Sequence, residues 1–534
     1  MKERLQPRIL ICDELEPAAM EVFRRRGLEP KVSTGLVGDA LLAAVRDAQA
    51  IVVRSATKVT REVIAAAADL RVVGRAGIGV DNIDVPAATE RGVVVMNTPL
   101  GNATTTAELA ITLLLALTRH VVRADRMVRS GDWRKKLLVG SEVTGKTLGV
   151  VGLGRIGRLV AERGRGLAMK VIAYDPYLDK GESPVPGVEL ADLENLLERA
   201  DFVSVHVPLT PSTKNLISWK ELARIKPGAR LVQASRGGVV DEEAVLDALQ
   251  SGRLAGAAFD VFVQEPVPVD HPLLARDDVI LTPHLGASSA EAQLRVALDI
   301  AEQISDFLVH GIATNAVNAP TLPPDLQHEL APFLLLAERL GSFLAQRLRG
   351  PIRKVELSVA GEVARHGTEH LRLAFLVGVL RQSLATTVNA VNAPSLAKER
   401  GILVLESHSE DALFRHGELC IRASERDGKS SCEVSGTVFG RDPRITQVDG
   451  IRLDLPPHGH LLITRHRDQP GVLGRIGTLL GTHQVNIRRV ELGPADPDSG
   501  AALGFLTLQG TPSDDVIAAV AALDGIEDVS FLEL

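Results

Sequence analysis

Short apolar runs rich in valine and isoleucine alternate with helix-like segments from residue 8 to about residue 290. Such runs are typical of buried strands, and their alternation with helical periodicity predicts βα units around parallel sheets. The pattern predicts strands at Ile9–Ile11, Ala50–Val53, Val72–Gly74, Val93–Met96, Thr147–Val151, Val171–Tyr174, Phe202–Val205, Arg230–Gln233, Gly256–Phe259 and Val279–Leu281.

Two long helices are predicted to connect the parts of this region. Thr105-x-x-Glu108 has the form of a capping box, and it predicts the start of an apolar helix from about residue 105 to about residue 129. The segment Ser289–Val309 predicts a second helix that returns the chain to the first α/β unit. The pattern therefore indicates one α/β domain inserted into another.

The rest of the chain predicts two smaller bodies. Pro320-Thr-Leu-Pro-Pro-Asp is typical of a linker, and after it we predict helices near 330–347 and 368–387 and strands near 352–360, 417–423 and 433–439. The final segment predicts, in chain order, the elements His460–Thr464, Val472–Gly481, Val485–Leu492, Ala502–Leu508, Asp514–Leu523 and Val529–Leu534. Their βαββαβ order indicates a ferredoxin-like module.

Composition narrows the class of protein. Of 534 residues, 45% are hydrophobic and 24% are charged, as in an ordinary globular protein. A net charge of −7 favours neither nucleic acid nor an anionic membrane as a partner, and the longest uncharged apolar run, Leu109–Leu117, is about half a membrane span. The widely spaced Cys12, Cys420 and Cys432 favour a reducing cytoplasm and support neither a disulfide nor a metal site.

A glycine-rich turn follows the predicted strand Thr147–Val151. Gly152-x-Gly154-x-x-Gly157 has the spacing of a dinucleotide-binding loop, whose glycines permit a tight turn, close approach to a pyrophosphate and close helix packing. Asp175 comes eighteen residues after Gly157, at the end of the next strand. Because a carboxylate there accepts hydrogen bonds from ribose hydroxyls and repels a 2′-phosphate, the sequence predicts NAD rather than NADP.

Three ionisable side chains, Arg236, Glu265 and His284, follow three consecutive predicted strands. Because the carboxyl ends of parallel strands line the ligand crevice of such sheets, we expect these side chains to converge. A guanidinium binds a carboxylate through two hydrogen bonds, and an imidazole oriented by a carboxylate serves as the base for an alcohol proton. With NAD as hydride acceptor, this set predicts oxidation of a 2-hydroxy acid.

Longer motifs make nearly the whole chain resemble the D-isomer-specific 2-hydroxy-acid dehydrogenase family. They are Val52-Val-Arg-Ser-Ala-Thr-Lys-Val-Thr, Val73-Gly-Arg-Ala-Gly-Ile-Gly-Val-Asp-Asn-Ile-Asp, Met96-Asn-Thr-Pro, Gly145-Lys-Thr-Leu-Gly, His206-Val-Pro-Leu-Thr and Pro283-His-Leu-Gly-Ala-Ser. The resemblance is closest to the long, serine-regulated branch, whose substrate is 3-phosphoglycerate. It implies that Arg236, Glu265 and His284 are the catalytic arginine, glutamate and histidine.

The resemblance also implies further cofactor contacts. Besides the loop glycines and Asp175, they are Arg155, Ile156, Val207, Ala234, Asp260, Gly286 and Ala287. The sequence departs from the family at Ile78, where threonine is common, at Gln233, which replaces asparagine, and at Val267, which replaces proline. These departures alter fine geometry and leave the reaction class intact.

A phosphorylated substrate requires nearby cations. Arg54 and Arg75 lie in loops after strands of the first α/β unit, and the backbone N–H groups around Gly77 and Ile78 suit a substrate carboxylate. Arg134 adds positive charge, either within one chain or across a subunit interface.

The last module resembles an ACT domain, a regulatory fold that commonly binds amino acids. The family's serine contacts fall on Asp468 and Asn486, with a further contact at His466. The middle body resembles the intervening domain of the longest members, and its Arg444 and Arg452 form either an anion site or part of a solvated face.

Together these features predict an α/β architecture: a Rossmann-type NAD-binding domain (101–289) inserted in a flavodoxin-like α/β substrate domain (1–100 and 290–318), an α+β intervening domain (322–455) and a ferredoxin-like ACT domain (456–534). The expected function is NAD-dependent oxidation of 3-phospho-D-glycerate to 3-phosphohydroxypyruvate, the first step of the phosphorylated serine pathway. We expect regulation by L-serine in a cytoplasmic homo-oligomer, a dimer or tetramer. The alternatives are a dehydrogenase for another D-2-hydroxy acid (glycerate, or the 2-oxoglutarate couple) and a nucleotide-sensing corepressor of the same fold.

Overall fold

The structure is a computed structural model of the chain. It describes residues 7–178, 181, 183–322, 324–348, 350–384, 387–425, 430–493 and 500–534, without the side chains of residues 324 and 325. Within these residues the strands form four sheets: two parallel, one mixed and one antiparallel.

The first sheet is built from the short apolar runs at the start of the chain. Its strands are β1 Ile9–Ile11, β2 Lys31–Val32, β3 Ala50–Val53, β4 Val72–Arg75 and β5 Val94–Asn97, and its helices are α1 Ala18–Arg25, α2 Gly38–Val45, α3 Arg61–Ala66 and α4 Val85–Glu90. The parallel order β2-β1-β3-β4-β5 is the flavodoxin-like order. The sequence pattern did not predict β2, which is two residues long and exposed.

Two helices, α5 Ala103–Thr118 and α6 Val121–Arg129, occupy the segment where the sequence predicts one. They are bent by 60° at His120, whose φ of 51° lies in the left-handed region that breaks a helix. The predicted capping box is also wrong. The helix begins before Thr105, whose hydroxyl lies 3.0 Å from Ser289 Oγ instead.

The second sheet follows α6. Its strands are β6 Thr147–Val151, β7 Lys170–Tyr174, β8 Val188–Leu190, β9 Phe202–Val205, β10 Ala229–Gln233, β11 Leu254–Phe259 and β12 Val279–Leu281, and its helices are α7 Arg155–Gly166, α8 Leu193–Arg199, α9 Trp219–Arg224 and α10 Glu242–Gln250. The parallel order β12-β11-β10-β9-β6-β7-β8 is that of a doubly wound nucleotide-binding sheet with one added strand.

Helix α5 belongs to the core of this second sheet. Its Leu113, Leu114 and Leu117 lie in one buried cluster with side chains of the second sheet, and the helix contacts β10, β11 and α7. In the described part of the chain, no single helix is long and apolar enough to cross a membrane, whereas α5 and α6 together pass that test by length and composition.

The chain returns to the first sheet through α11 Ala290–His310. Ser289 caps this helix by accepting a hydrogen bond from Ala292 N at 3.2 Å. The helix approaches the sheet so closely that a Cβ on Gly74 would lie 2.8 Å from Ile304 Cδ1. Gly74 in β4 therefore permits the close packing of α11 on the first sheet.

The third sheet belongs to the middle body. Its elements are α12 Pro324–Arg347, β13 Ile352–Ala360, α13 Glu369–Arg381, α14 Ala393–Glu399, β14 Leu403–Ser409, β15 Glu418–Glu425, β16 Ser431–Phe439, β17 Asp442–Val448 and β18 Ile451–Leu455, with strand order β14-β13-β15-β16-β17-β18. The sequence pattern missed α14, β14, β17 and β18. β14 is an edge strand with mostly exposed side chains, and β17 is interrupted by Pro443 and charged residues, so neither presents an apolar run.

The last module has the predicted βαββαβ order. Its elements are β19 His460–Arg467, α15 Val472–Thr482, β20 Asn486–Leu492, β21 Ala501–Gln509, α16 Asp514–Ala521 and β22 Ile526–Glu533, with strand order β20-β21-β19-β22.

This module and the middle body share one hydrophobic core. Phe343 of α12 lies in the same buried cluster as Leu461, Phe505 and Leu532 of the last sheet. Gln346 adds hydrogen bonds with the backbone of β22. The two C-terminal bodies are therefore packed as a single regulatory body, which spans residues 324–534.

Two copies of the hexapeptide Asn-Ala-Val-Asn-Ala-Pro contact the first sheet. The first copy, residues 315–320, runs beside β5: Val317 N donates to Val95 O at 2.7 Å, and Asn318 Oδ1 accepts from Val95 N at 2.9 Å. The second copy, residues 389–394, belongs to the regulatory body.

The joint between the regulatory body and the first sheet consists of residues 389–392. Asn389 Nδ2 donates to Gly92 O at 2.7 Å, and the Val391 side chain is buried in the core beneath the first sheet. Gly92 has a φ of 70°, and a Cβ on it would lie 2.8 Å from Asn389 Nδ2. The regulatory body is thus attached next to β5.

Candidate active site

The glycine loop between β6 and α7 has the conformation that the sequence predicts. Gly152 has a φ of 92°, and a Cβ on Gly157 would collide with the Gly152 carbonyl oxygen, so both positions require glycine. A Cβ on Gly154 would meet no described atom within 4 Å. Gly154 is the N-cap of α7 and has no side chain to cap the helix. The first N–H groups of α7 and the positive end of its dipole therefore suit a pyrophosphate.

Asp175 lies at the end of β7 beside this loop. Its Oδ2 accepts a hydrogen bond from Leu153 N at 2.9 Å, and its Oδ1 accepts from Tyr177 N at 3.0 Å. The carboxylate is thereby fixed next to the glycine loop, where it suits ribose hydroxyls and opposes a 2′-phosphate. The open loop, the helix start and this carboxylate together fit NAD.

The ends of β11 and β12 bring Glu265 and His284 together. His284 Nδ1 lies 2.8 Å from Glu265 Oε2. The His284 backbone has a φ of 55°, and its N–H donates to Asp260 O at 2.8 Å and to Thr282 O at 3.0 Å. This left-handed conformation and the two backbone contacts fix the direction of the imidazole.

Asp260 orients the segment that carries His284. It is 1% exposed, and its carboxylate accepts hydrogen bonds from Thr282 Oγ1 at 2.6 Å, Leu285 N at 2.7 Å and Gly286 N at 2.9 Å. Burial raises the pKa of Asp260, and these hydrogen bonds oppose that shift. The structure therefore shows Asp260 supporting the loop backbone around Gly286.

The charge state of Glu265 decides the tautomer of His284. Burial acts to raise the pKa of Glu265, but the hydrogen bonds from His284 and from Phe262 N, with the charge of Arg236, outweigh it and lower the pKa. An ionised carboxylate only accepts hydrogen bonds, so in neutral His284 the proton lies on Nδ1. Nε2 is then free to accept a proton, as a general base requires.

Two guanidinium groups share a cavity with this pair, and a third lies close by. Arg54, Arg75, Glu265 and His284 line one cavity of 670 Å³, and the charge of Arg236 acts on both Arg75 and Glu265. Burial, followed by repulsion from Arg236 and Arg54, lowers the pKa of Arg75 to about 10. The buried Nε of Arg75 has no hydrogen-bond partner among the described residues. Such a cluster of like charges favours an anionic ligand.

The loop at Gly77 and Gly79 lies beneath two of these guanidiniums. A Cβ on Gly77 would collide with Arg75, and a Cβ on Gly79 would collide with Arg236. Asn97 Nδ2 donates to the carbonyl oxygen of Ile78 at 2.6 Å and so ties this loop to β5. The predicted substrate loop therefore contacts two of the predicted anion-binding arginines, Arg75 and Arg236.

Asp81 joins the two domains across the cleft. Its Oδ2 lies 2.9 Å from Arg236 Nε, although the two residues are 155 positions apart. Neither Asp81 nor Asn97 was singled out from the sequence. Both lie in the quoted family motifs, but in a single sequence nothing distinguishes them from their polar neighbours.

The remaining predicted contacts are distributed around the site. Val207 lies under Gly152, Ala234 is buried at the end of β10, and Ala287 lines the cleft. Arg134 is not among the described residues that line the cleft. Its side chain is 72% exposed and pairs with Asp132 at 2.6 Å.

The predicted serine contacts lie far apart within one chain. Asp468 follows the end of β19, which is level with Ala501 on β21, whereas Asn486 is paired with Gln509 at the other end of β21. Eight residues of strand at about 3.4 Å each separate these ends by roughly 27 Å. One amino acid therefore cannot contact both side chains of the same chain.

Two of the other residues predicted to contribute to regulation are His466, which is buried, and Arg444, which is paired with carboxylates. His466 is 3% exposed, and its Nδ1 lies 3.3 Å from Thr464 Oγ1 inside the ACT sheet. Arg444 pairs with Asp442 at 2.7 Å and with Asp454 at 3.7 Å, so its charge is largely neutralised.

Family models match three parts of the chain. Residues 111–286 match the NAD-binding domain of the D-isomer specific 2-hydroxyacid dehydrogenases, residues 329–449 match the D-3-phosphoglycerate dehydrogenase intervening domain, and residues 460–525 match the ACT domain. The fold and the site thus define a dehydrogenase of the D-isomer-specific 2-hydroxyacid class that carries an ACT domain.

Similarity to individual relatives extends over nearly the whole chain. The chain is 42% identical to the D-3-phosphoglycerate dehydrogenase of Archaeoglobus fulgidus, covering 99% of this chain and 100% of that protein. It is 43% identical to that of Mycobacterium tuberculosis, covering 97% of each, and 37% identical to that of Bacillus subtilis, covering 99% of each. The chain belongs to the D-3-phosphoglycerate dehydrogenase family.

Solved structures confirm the predicted α/β class. The chain is similar to the TT0316 protein from Thermus thermophilus at 37% identity and a TM-score of 0.54, covering 58% of this chain and 99% of that one. It is also similar to an NAD-dependent formate dehydrogenase from Staphylococcus aureus in complex with NAD, at 28% identity and a TM-score of 0.53, covering 58% and 98%. The predictions of an oxidoreductase and of NAD as its cofactor are confirmed.

Proposed function

We propose that the protein oxidises the C2 hydroxyl of 3-phospho-D-glycerate and forms 3-phosphohydroxypyruvate, the entry reaction of serine synthesis. The observation that carries this proposal is the His284–Glu265 pair, which shares one cleft with Arg54 and Arg75 and lies within range of the charge of Arg236. His284 Nε2 accepts the hydroxyl proton, and Glu265 stabilises the imidazolium that forms. NAD supplies the hydride acceptor.

Different arginines are assigned to the two anionic groups of this substrate, its carboxylate and its phosphate. Arg236, which lies over Gly79 of the predicted substrate loop, binds the carboxylate together with backbone N–H groups at Gly77 and Ile78. Arg54 and Arg75 bind the phosphate, which also supplies the missing partner for the buried Arg75 Nε.

The cofactor contacts are assigned on the same basis. The pyrophosphate is held by the N–H groups of Arg155 and Ile156 at the start of α7, and Asp175 binds the adenosine ribose. Val207, Ala234, Asp260, Gly286 and Ala287 form the remainder of the nucleotide site, along the carboxyl ends of the sheet.

The substrate assignment is tested by NADH formation. With NAD, kcat/KM for 3-phosphoglycerate is expected to exceed that for unphosphorylated D-glycerate, because only the phosphate engages Arg54 and Arg75. Equal kcat/KM for both acids would favour the alternative of a general D-2-hydroxy-acid dehydrogenase. Absence of turnover with either acid, with NAD still bound, would favour the corepressor. NADP in place of NAD is expected to be a poor cofactor because of Asp175.

We further propose a homo-oligomer. None of the residues of α6 is buried, and its Val121 and Val128 are each 53% exposed. Trp133, which is 79% exposed, continues this apolar face. A second copy on this face covers the apolar side chains and brings Arg134 near a subunit interface, where it adds positive charge.

Free cysteines support a cytoplasmic location. Cys12, Cys420 and Cys432 are all unpaired, and burial raises the pKa of the Cys12 thiol to about 12. A buried protonated thiol is unreactive, and unpaired thiols suit a reducing compartment.

L-Serine is proposed to act at the ACT domain. Because Asp468 and Asn486 lie at opposite ends of one sheet, a shared serine site requires Asp468 from one copy and Asn486 from another. The N–H groups at Gly471, where α15 begins, suit the serine carboxylate, and Asp468 suits its ammonium group.

The joint gives this regulation a route to the cleft. Asn389 and Val391 attach the regulatory body to the turn before β5, and Asn97 at the end of β5 contacts Ile78 of the substrate loop. A change in the pairing of ACT modules therefore acts on the loop that contacts Arg75 and Arg236. Coupling between such sites is typically about 1–3 kcal/mol.

Serine inhibition is expected to disappear in Asp468→Ala and in Asn486→Ala, with basal kcat retained. Asp515→Ala, an exposed acidic residue of the same module, serves as the control and is expected to stay sensitive. When Asp468→Ala and Asn486→Ala subunits are mixed and reassembled, part of the inhibition is expected to return. Each mixed pair of subunits contains one serine site in which both Asp468 and Asn486 are intact. Undiminished inhibition in both single variants would place the effector site elsewhere. Truncation at residue 456 is unsuitable as a test, because it would expose the shared core around Phe343.

A further inference from the structure

The loop that follows β11 carries Glu265 and is held at two successive backbone N–H groups. Phe262 N donates to Glu265 Oε1 at 3.0 Å, within the loop itself. Val263 N donates to Glu242 Oε1 at 2.8 Å, and Glu242 belongs to a different element, α10. The position of the Glu265 carboxylate therefore depends on a side chain outside its own loop.

Glu242 uses both of its carboxylate oxygens in this arrangement. It is the first residue of α10, its side chain is 13% exposed, and its Oε2 lies 3.0 Å from His271 Nε2. Leu273 N donates to His271 Nδ1 at 3.4 Å, so Nδ1 is the acceptor and Nε2 carries the proton that is donated to Glu242. Glu242 thus bridges the Val263 N–H and the turn at residues 272–275.

We infer that Glu242 is a positioning residue for the Glu265–His284 pair, an inference that rests on the proposed dehydrogenase function. Holding the Val263 N–H keeps the neighbouring Phe262 N–H directed at Glu265 Oε1. Glu265 Oε2 is then left for His284 Nδ1 at 2.8 Å. This chain of hydrogen bonds runs from α10 to the base without passing through the nucleotide loop.

The loop that follows β11 cannot readily keep its position when the Glu242 carboxylate is lost. On its inner side, a Cβ on Gly237 would collide with the Phe262 carbonyl oxygen, so the loop already lies directly against backbone and can shift only outward. A displacement of about 1 Å at a catalytic group can cost on the order of 10²-fold in rate. A partial displacement of Glu265 is therefore expected to slow the chemical step measurably.

The test compares Glu242→Ala, Glu242→Gln and the neighbouring Glu243→Ala. Glu243 is exposed in the same first turn of α10 and provides the matched control. Glu242→Ala is expected to lower kcat roughly 10-fold, with the KM for NAD unchanged, since the nucleotide loop is untouched. Glu242→Gln is expected to lose less activity than Glu242→Ala, because its amide oxygen still accepts from Val263 N although its NH2 group then faces the Nε2–H of His271. With substrate deuterated at C2, the isotope effect on kcat is expected to increase in Glu242→Ala, because hydride transfer becomes slower.

A double-mutant comparison separates positioning from general loss of structure. In a Glu265→Ala background, Glu242→Ala is expected to cause no further loss, because its effect passes through Glu265. An equal loss in both backgrounds, or full activity of Glu242→Ala, would overturn the inference while wild-type turnover still supported the proposed function. If wild type showed no turnover, the proposed function would fail. Amide exchange at Phe262 and Val263 would then decide the inference, since faster exchange is expected in Glu242→Ala alone and unchanged exchange contradicts it.

Discussion

Replacing His284 with alanine is expected to lower kcat for 3-phosphoglycerate at least about 10²-fold, the usual contribution of a general base. The imidazole is fixed by three contacts: Nδ1 on Glu265 and the backbone N–H on the carbonyl oxygens of Asp260 and Thr282. Nε2 is left free to receive the hydroxyl proton because Nδ1 is engaged by Glu265. The lowered pKa of Glu265 keeps this orienting carboxylate ionised below the pH at which an ordinary glutamate is protonated, about 4.3.

The measurement is steady-state NADH formation beside NADH binding by fluorescence. Binding is expected to persist in His284→Ala, because the glycine loop and Asp175 lie on other strands. His310→Ala, an exposed histidine at the end of α11, is the control and is expected to behave as wild type. Near-normal turnover in His284→Ala would mean that the base lies elsewhere.

Arg236→Lys is expected to lower kcat/KM by about 10²-fold, equivalent to about 2.7 kcal/mol of transition-state stabilisation. The guanidinium makes separate use of its nitrogens: Nε contacts Asp81 at 2.9 Å, and Nη1 donates to Ser235 O at 2.8 Å. Nη2 lies over Gly79, on the substrate loop. A lysine ammonium cannot reach the domain partner, the backbone and the substrate carboxylate together, so the charge alone does not rescue function.

Arg224→Lys provides the control for this substitution. Arg224 is 43% exposed and forms surface ion pairs on α9, where a change from arginine to lysine is expected to have little effect. The substrate series adds a second criterion: loss in Arg236→Lys is expected for D-glycerate as well as for 3-phosphoglycerate, because both carry the carboxylate. A loss confined to the phosphorylated acid would move Arg236 to the phosphate site.

The hydrophobic pattern predicted the two parallel sheets well because their strands are buried on both faces and carry continuous apolar runs. It failed where the local signal was weak. β2 and β14 are exposed, and the bend at His120 depends on packing around a short left-handed segment rather than on an obvious helix breaker. Thr105 and Glu108 match a capping box in spacing, yet α5 already begins at Ala103. The chain just before it lies against α11, where Arg295 Nη1 donates to Gly101 O at 3.3 Å.

The residues of the candidate site likewise differ in how clearly the sequence marks them. Gly152, Gly154, Gly157 and Asp175 were identifiable because backbone conformation and ribose binding demand those residue types at a fixed spacing. Glu242 carried no such signal, since a glutamate in the first turn of a helix is ordinary. Its importance arises from the loop that β11 brings against it.

The sequence by itself determined the order of the buried strands in the two parallel sheets, the βαββαβ order of the last module, the dinucleotide loop, the family and the residue types available for catalysis. These depend on local periodicity and on spacings shorter than one βα unit, which a linear pattern records. Only the tertiary structure decided which distant residues act together. Examples are the pairing of Asp81 with Arg236, the attachment of Val391 beneath the first sheet, and the separation of Asp468 from Asn486 by a full strand length. Such relations follow from sheet register and domain packing, which bring together residues that no spacing along the chain connects.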